Sequence, residues 1–343
     1  MYRVILWALI AQSGVALMAQ DLPKGFPKPP VPIDNPPTTP KIELGRYLFY
    51  DRRLSVNGKS SCATCHRQEL AFTDGLPRAV GATGEKHPRG AMSLVNVAYS
   101  AVLTWSNPGI TSLEQQALVP MFGEKPLELG LRAGDGFLAR LKSDPKYHEL
   151  FAHAFPADTD PFTVANVAKA IASFERSIVS ARSPYDRYHY GGDDSAVSDS
   201  AKRGEILFFS RQLSCFRCHG GFNFSGNTIS ARHPATELEF RNNGVYGAPG
   251  LFEFTKDPKD SGKFKAPTLR NIALTAPYMH DGSLATLDAV VSHYAAGGHK
   301  DPNQDPLVAG FALSSQDRID LIEFLKSLTD EAVLQDRRFA NPW

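Results

Sequence analysis

Residues 61–66, Ser-Cys-Ala-Thr-Cys-His, and residues 214–219, Ser-Cys-Phe-Arg-Cys-His, repeat one pattern: two cysteines three positions apart, followed at once by a histidine. Thiols at that spacing reach the two vinyl groups of one haem, and the adjacent histidine is carried beneath the iron as its proximal ligand. The copies Cys62/Cys65/His66 and Cys215/Cys218/His219 use all 4 cysteines of the chain. A structural zinc site would want its cysteine pairs much closer together, and a thioredoxin-like CxxC does not require the histidine. In an oxidising compartment four cysteines would ordinarily suggest two disulfides, but this spacing points to two covalently attached haems c.

The flanks repeat as well. Gly45-Arg-Tyr-Leu-Phe49 leads into the first copy as Gly204-Glu-Ile-Leu-Phe208 leads into the second, and each copy is followed by a Phe and a Gly, Phe72/Gly75 and Phe224/Gly226. Two related helical modules are implied. Apolar spacing predicts further helices over 112–120, 134–152 and 162–182. The stretch SSQDRIDLIEFLKSLTD predicts a last amphipathic helix with a Ser cap and Ile319, Ile322 and Leu325 on its apolar side. The expected fold is mostly α, with two cytochrome c-like helical domains that each hold one haem c.

These domains are read as 41–190 and 191–330, with the polar, glycine-containing stretch 183–200 between them. A proline-rich segment over 20–40, with eight prolines between 22 and 40, predicts an extended strap along the surface. Residues 220–266 read as a long polar loop, and 331–343 as a C-terminal tail.

Composition sets the remaining bounds. With 343 residues and 42% hydrophobic content the chain can bury two cores. Its 37 basic and 36 acidic residues leave a net charge of +1, which gives no reason to expect nucleic acid or an anionic membrane surface. Residues 1–19 place one Arg before an apolar run that ends in small residues, which predicts a signal peptide cleaved near Ala19 and a periplasmic location. No later segment is long and apolar enough for stable membrane insertion.

Four stretches carry a family resemblance: SCATCH, HPRGAMSLVNVAY, the segment around Trp105, and FKAPTLRNIALTAPYMHDGSLATLDAVVSHY. Over roughly residues 41–330 the chain resembles the bacterial di-haem cytochrome c peroxidases and their MauG-type relatives. The resemblance implies a haem-dependent oxidoreductase with a peroxidatic N-terminal haem, an electron-transfer C-terminal haem and one calcium ion. Carried over by position, Trp105 resembles the tryptophan that couples the haems, Gln116 and Pro120 the distal-pocket glutamine and proline, and Glu128 the distal acid. The spacing from Pro120 to Glu128 is longer than the family's, so Glu124 competes for that role. Thr275 and Pro277 match calcium-binding carbonyls, and Gly90 stands where the family has an asparagine. Arg270 is read either as a propionate partner or as a surface arginine.

Two departures bear on the subclass. Where family members place a histidine that blocks the N-terminal haem, this chain has Ala82; the nearby His87 reads as an exposed histidine. Where true peroxidases supply a methionine ligand to the second haem, fourteen residues after His280, this chain has Tyr294. Met279 and His293 are rival ligands. Tyr294 resembles MauG, and the 111–130 segment resembles the methanobactin-associated MbnH branch. That resemblance implies use of hydrogen peroxide and a coupled high-valent di-haem state to oxidise a partner protein, at a tryptophan, by long-range electron transfer. The alternatives are a true cytochrome c peroxidase, fed by a small cytochrome or cupredoxin, and a non-catalytic di-haem electron carrier.

Overall fold

The computed structural model describes residues 22–132 and 134–343; the expected signal peptide lies outside them. The first half of the chain forms α1 (Thr39–Tyr50), α2 (Cys62–Cys65), α3 (Leu113–Phe122), α4 (Phe137–Lys142), α5 (Pro145–Ala154) and α6 (Val164–Ser177). The second half forms α7 (Pro184–His189), α8 (Asp199–Phe208), α9 (Phe252–Thr255), α10 (Leu287–Ala295), α11 (Ser315–Ser327) and α12 (Glu331–Gln335). Strands β1 (Phe240–Arg241) and β2 (Phe264–Lys265) pair antiparallel inside the long loop read over 220–266.

The repeat seen in the sequence is a repeat of helix crossings. Helix α1 packs on α6, and α8 packs on α11. At each crossing a glycine lets the backbones touch: a Cβ on Gly45 would fall on the Ala170 carbonyl and 2.8 Å from Phe174 Cβ, and one on Gly204 would fall on the Asp320 carbonyl and 2.8 Å from Phe324 Cβ. The interiors differ. Leu44, Leu48, Tyr147, Phe151 and Ile171 fill the first, whereas Phe208, Phe224, Leu321 and Phe324 fill the second.

The helix expected over 134–152 is two helices. Asp144 caps Lys146 N and Pro145 opens α5, because proline cannot supply the interior N–H that a continuous helix would need. In α11 the buried side is Leu321, Phe324 and Leu325, while Ile319, expected on the apolar face, is 52% exposed. Tyr185 of α7, within the stretch read as a boundary, packs into the second interior against Phe224 and Phe324.

The strap and the tail tie the modules together. The strap is extended up to α1, yet Phe26 is buried against Tyr99, Tyr190 and Phe222. The tail returns to the first module, where Phe339 meets Phe72 and Phe174 and Gln68 Nε2 donates to Val333 O and Asp336 O. Between the modules Asn96 and Asn271, both in the left-handed region, play matching parts. Asn96 Oδ1 accepts from Ser180 N, and Asn271 Oδ1 accepts from Asp330 N, each at 2.7 Å. Asp330 Oδ2 in turn accepts from Ser180 Oγ, Ala181 N and Arg182 N. All four side chains are buried, and the bonds from Ser180, Ala181 and Arg182 to Asp330 Oδ2 are made only when the modules are docked.

Candidate active site

Each CxxCH histidine is aimed by the phenylalanine that follows it. The His66 Nδ1 lies 2.9 Å from Phe72 O, and the His219 Nδ1 lies 3.1 Å from both Phe224 O and Pro267 O. Phe72 and Phe224 adopt positive φ, 61° and 49°, which turns their carbonyls toward the imidazoles, and both rings are buried. A bond at Nδ1 leaves Nε2 for a metal and fixes ring orientation. Burial holds both imidazoles below their ordinary pKa, so both are neutral and able to ligate. The four cysteines are unpaired, and burial pushes the Cys65 and Cys215 thiols up to about 12.

Cys62, Cys65 and His66 open onto a cavity of about 530 Å³. Its wall carries buried polar atoms without protein partners, among them Asp74 Oδ2, Arg89 Nε and Glu175 Oε2. Native interiors rarely leave such atoms unmet. A ligand with both an apolar body and polar groups, as haem has, fits this lining.

The same cavity gathers most residues singled out from the sequence. Gln116, Pro120 and Glu128 all line it, whereas Glu124 is exposed and does not. Pro120 sits inside α3. Glu128 is held by the 80–88 loop, through Ala82 N donating to Glu128 O at 2.6 Å. That loop also delivers His87, contrary to its reading as an exposed histidine. His87 is 21% exposed, lines the cavity, and places Nε2 3.1 Å from Glu128 Oε1. Ala82 offers only a methyl group.

Trp105 lines the cavity too, its Nε1–H donating to Gly90 O at 3.0 Å. Gly90, Thr275 and Pro277 all line the cavity, but one of these three calcium-candidate carbonyls already serves the indole. No cluster of three or more His, Cys, Asp or Glu suited to a metal occurs among the described residues. Arg270 is neither on the surface nor free for a propionate. It is fully buried, donates to both Asp186 oxygens at 2.9 Å, and caps Phe222 O.

At the second histidine, α10 carries Tyr294 into the electrostatic reach of Cys215 and Cys218. Burial raises its pKa to about 12, opposed by Asn243 Nδ2, which donates to Tyr294 Oη at 3.2 Å. The rivals are engaged differently. His293 Nε2 lies 2.9 Å from Asn243 O, and Met279 lines the first cavity with its sulfur 3.4 Å from Asn243 Nδ2.

Residues 39–195 match the family model of the di-haem cytochrome c peroxidases. Methylamine utilization protein MauG of Methylorubrum extorquens is 36% identical over 88% of this chain and 82% of its own length. Cytochrome-c peroxidase IdrP1 of Denitromonas iodatirespirans is 37% identical over 93% and 89%. The chain belongs to the di-haem cytochrome c peroxidase family. A crystal structure of a MauG-like protein associated with microbial copper homeostasis superposes with a TM-score of 0.91 and 43% identity, covering 94% of this chain and 99% of that one.

As a di-haem peroxidase the protein carries two haems c, reacts with peroxide and exchanges electrons with a protein partner. Within it, two cavity residues escaped the sequence reading. Lys265, 8% exposed, donates to Val102 O at 2.8 Å while its backbone N–H holds Trp105 O. An ammonium buried on this wall, with donors to spare, could hold a carboxylate such as a haem propionate. Glu175, 4% exposed, is pushed up to about 8 by burial. Glu175 lies in the helix read over 162–182 and Lys265 in the stretch read as a long polar loop, and only tertiary packing reveals their burial.

Proposed function

We propose that this protein uses hydrogen peroxide at the His66 haem to oxidise a partner protein, at a tryptophan, by electron transfer through the His219 haem. Haem supplies O–O cleavage and storage of the oxidising equivalents. Glu128 takes a proton from incoming peroxide and returns it to the departing oxygen, a task worth about 10²–10⁴-fold in rate. His87 stands beside it, its Nε2 3.1 Å from Glu128 Oε1. Gln116 and Pro120 shape the distal space, and Trp105 couples the two haems, held by its bond to Gly90 O. Tyr294 would be the second protein residue to hold the iron of the His219 haem, with Asn243 orienting its oxygen. A phenolate donates charge to iron and favours its higher oxidation states, whereas methionine raises the potential. A calcium ion at Gly90, Thr275 and Pro277 would have to rely on backbone carbonyls and water. The 1–19 leader would deliver the chain to the periplasm.

The observation that carries this reading is the Ala82 loop. In place of a blocking histidine it brings a methyl group to the cavity, and its one histidine faces Glu128. With these residues the N-terminal haem would have no histidine from this loop to displace before peroxide binds. Rapid mixing of the fully oxidised two-haem protein with peroxide tests this: immediate spectral change is expected. Reaction only after one haem has been reduced would return the protein to the true cytochrome c peroxidases.

A further inference from the structure

Tyr147 is fully buried in the first module, yet its hydroxyl donates a 2.6 Å hydrogen bond to Asp51 Oδ2. Asp51 is buried too and pairs with Arg53 at 2.8 Å. The Trp343 ring lies 6.1 Å from Tyr147 and 5.1 Å from Tyr47, and Trp343 is 54% exposed. On its inner side Tyr147 shares one apolar cluster with Ala117, Leu129 and Ile171, which line the haem cavity, and Cys62 packs against that cluster. An oxidisable phenol with a built-in proton acceptor thus stands between the cavity wall and a surface indole.

We propose that Tyr147 and Trp343 form an escape route for oxidising equivalents, with Trp343 the residue modified when no partner is docked. The proposal rests on the peroxide chemistry of the family and not on the identity of the partner. In each transfer Tyr147 gives one electron to the oxidised haem centre and its phenolic proton to Asp51. It then regains an electron from Trp343 and the proton from Asp51; the indole releases its N–H proton to solvent in the first transfer, and in the second the water that adds to the ring gives up the other proton. Two such transfers and the addition of one water to the indole balance as Trp343 plus hydrogen peroxide giving hydroxytryptophan plus water. Arg53 lies 5.1 Å and 5.2 Å over the Tyr147 and Trp343 rings and would oppose positive charge there. Its own charge is met by Asp51 and Asp144, and Tyr147 stays neutral because its proton leaves with the electron.

The test is peptide mass spectrometry of the two-haem protein after peroxide without donor or partner, with the haem spectrum followed in parallel. One added oxygen at Trp343 is expected. Tyr147→Phe and Asp51→Asn should each cut that product several-fold while haem content and the initial peroxide reaction are retained. Trp343→Phe should keep the fold, since Phe339 still anchors the tail, and prolong the oxidised spectrum. Trp343 left unmodified while oxygen appears elsewhere would overturn the proposal. So would equal modification in Tyr147→Phe or in protein whose haem is blocked with cyanide. A haem spectrum unmoved by peroxide would sink the peroxidase reading and this route with it.

Discussion

At the residue scale, the side chains in this centre work through their neighbours. Phe72 and Phe224 fix the histidines by backbone carbonyl, and the paired phenylalanines were visible in the sequence although their purpose was not. The Glu128–His87 pair joins residues from two segments, so no spacing rule could reveal it. Glu128→Gln should slow the reaction with peroxide by about 10²–10⁴-fold in stopped-flow mixing, with the yield of haem unchanged. Glu175 gives a pH prediction. Its native carboxyl keeps a proton up to about 8, against an ordinary 4.5, chiefly because it is desolvated. The unfolded chain releases that proton first, so wild-type stability falls as pH rises through this window. Relative to wild type, Glu175→Gln should gain a few kcal/mol between those limits and nothing more above about 8. Thermal midpoints measured across the range check it; a pH-independent difference would show that the carboxyl is ionised or exposed.

At the scale of elements, the decisive feature is the pair of glycine crossings. Both glycines stand four residues before a phenylalanine in the helix that leads to a CxxCH, which is why the repeat could be read, but the carbonyls they approach lie more than a hundred positions away. Adding a methyl group at either site forces the helices apart, at a cost of roughly 1–3 kcal/mol or more. Gly45→Ala and Gly204→Ala should each lower the yield of two-haem protein, and each should act first on its own module's haem, as pyridine haemochrome assay and optical spectra will report. The single helix expected over 134–152 failed because periodicity counted apolar residues across the Asp144-Pro145 break. Ile319 failed because an apolar residue next to the stripe of α11 is indistinguishable from one in it until the partner helix is known.

At the scale of the whole molecule, the modules are joined by parts that local reading treats as accessories. The strap contributes Phe26, the tail contributes Phe339, and the Asn96–Ser180–Asp330–Asn271 junction closes between them. Proline content marked the strap as extended, but a lone phenylalanine in it carried no sign of burial. Removing the Asp330 carboxylate strands the donors of Ser180, Ala181 and Arg182, each unmet group costing about 1–3 kcal/mol. Asp330→Ala should therefore split or broaden the calorimetric transition of the holoprotein. A single transition shifted by less than a degree would mean that the modules are held elsewhere.

The central claim is that the two haem sites share one oxidising event through Trp105 and Tyr294. It is tested most directly by adding one equivalent of peroxide to the fully oxidised protein and recording the visible and near-infrared spectrum. A long-lived near-infrared band that is lost in Tyr294→Met and in Trp105→Phe is the predicted result. A spectrum in which only the N-terminal haem changes, identical in both variants, would contradict it.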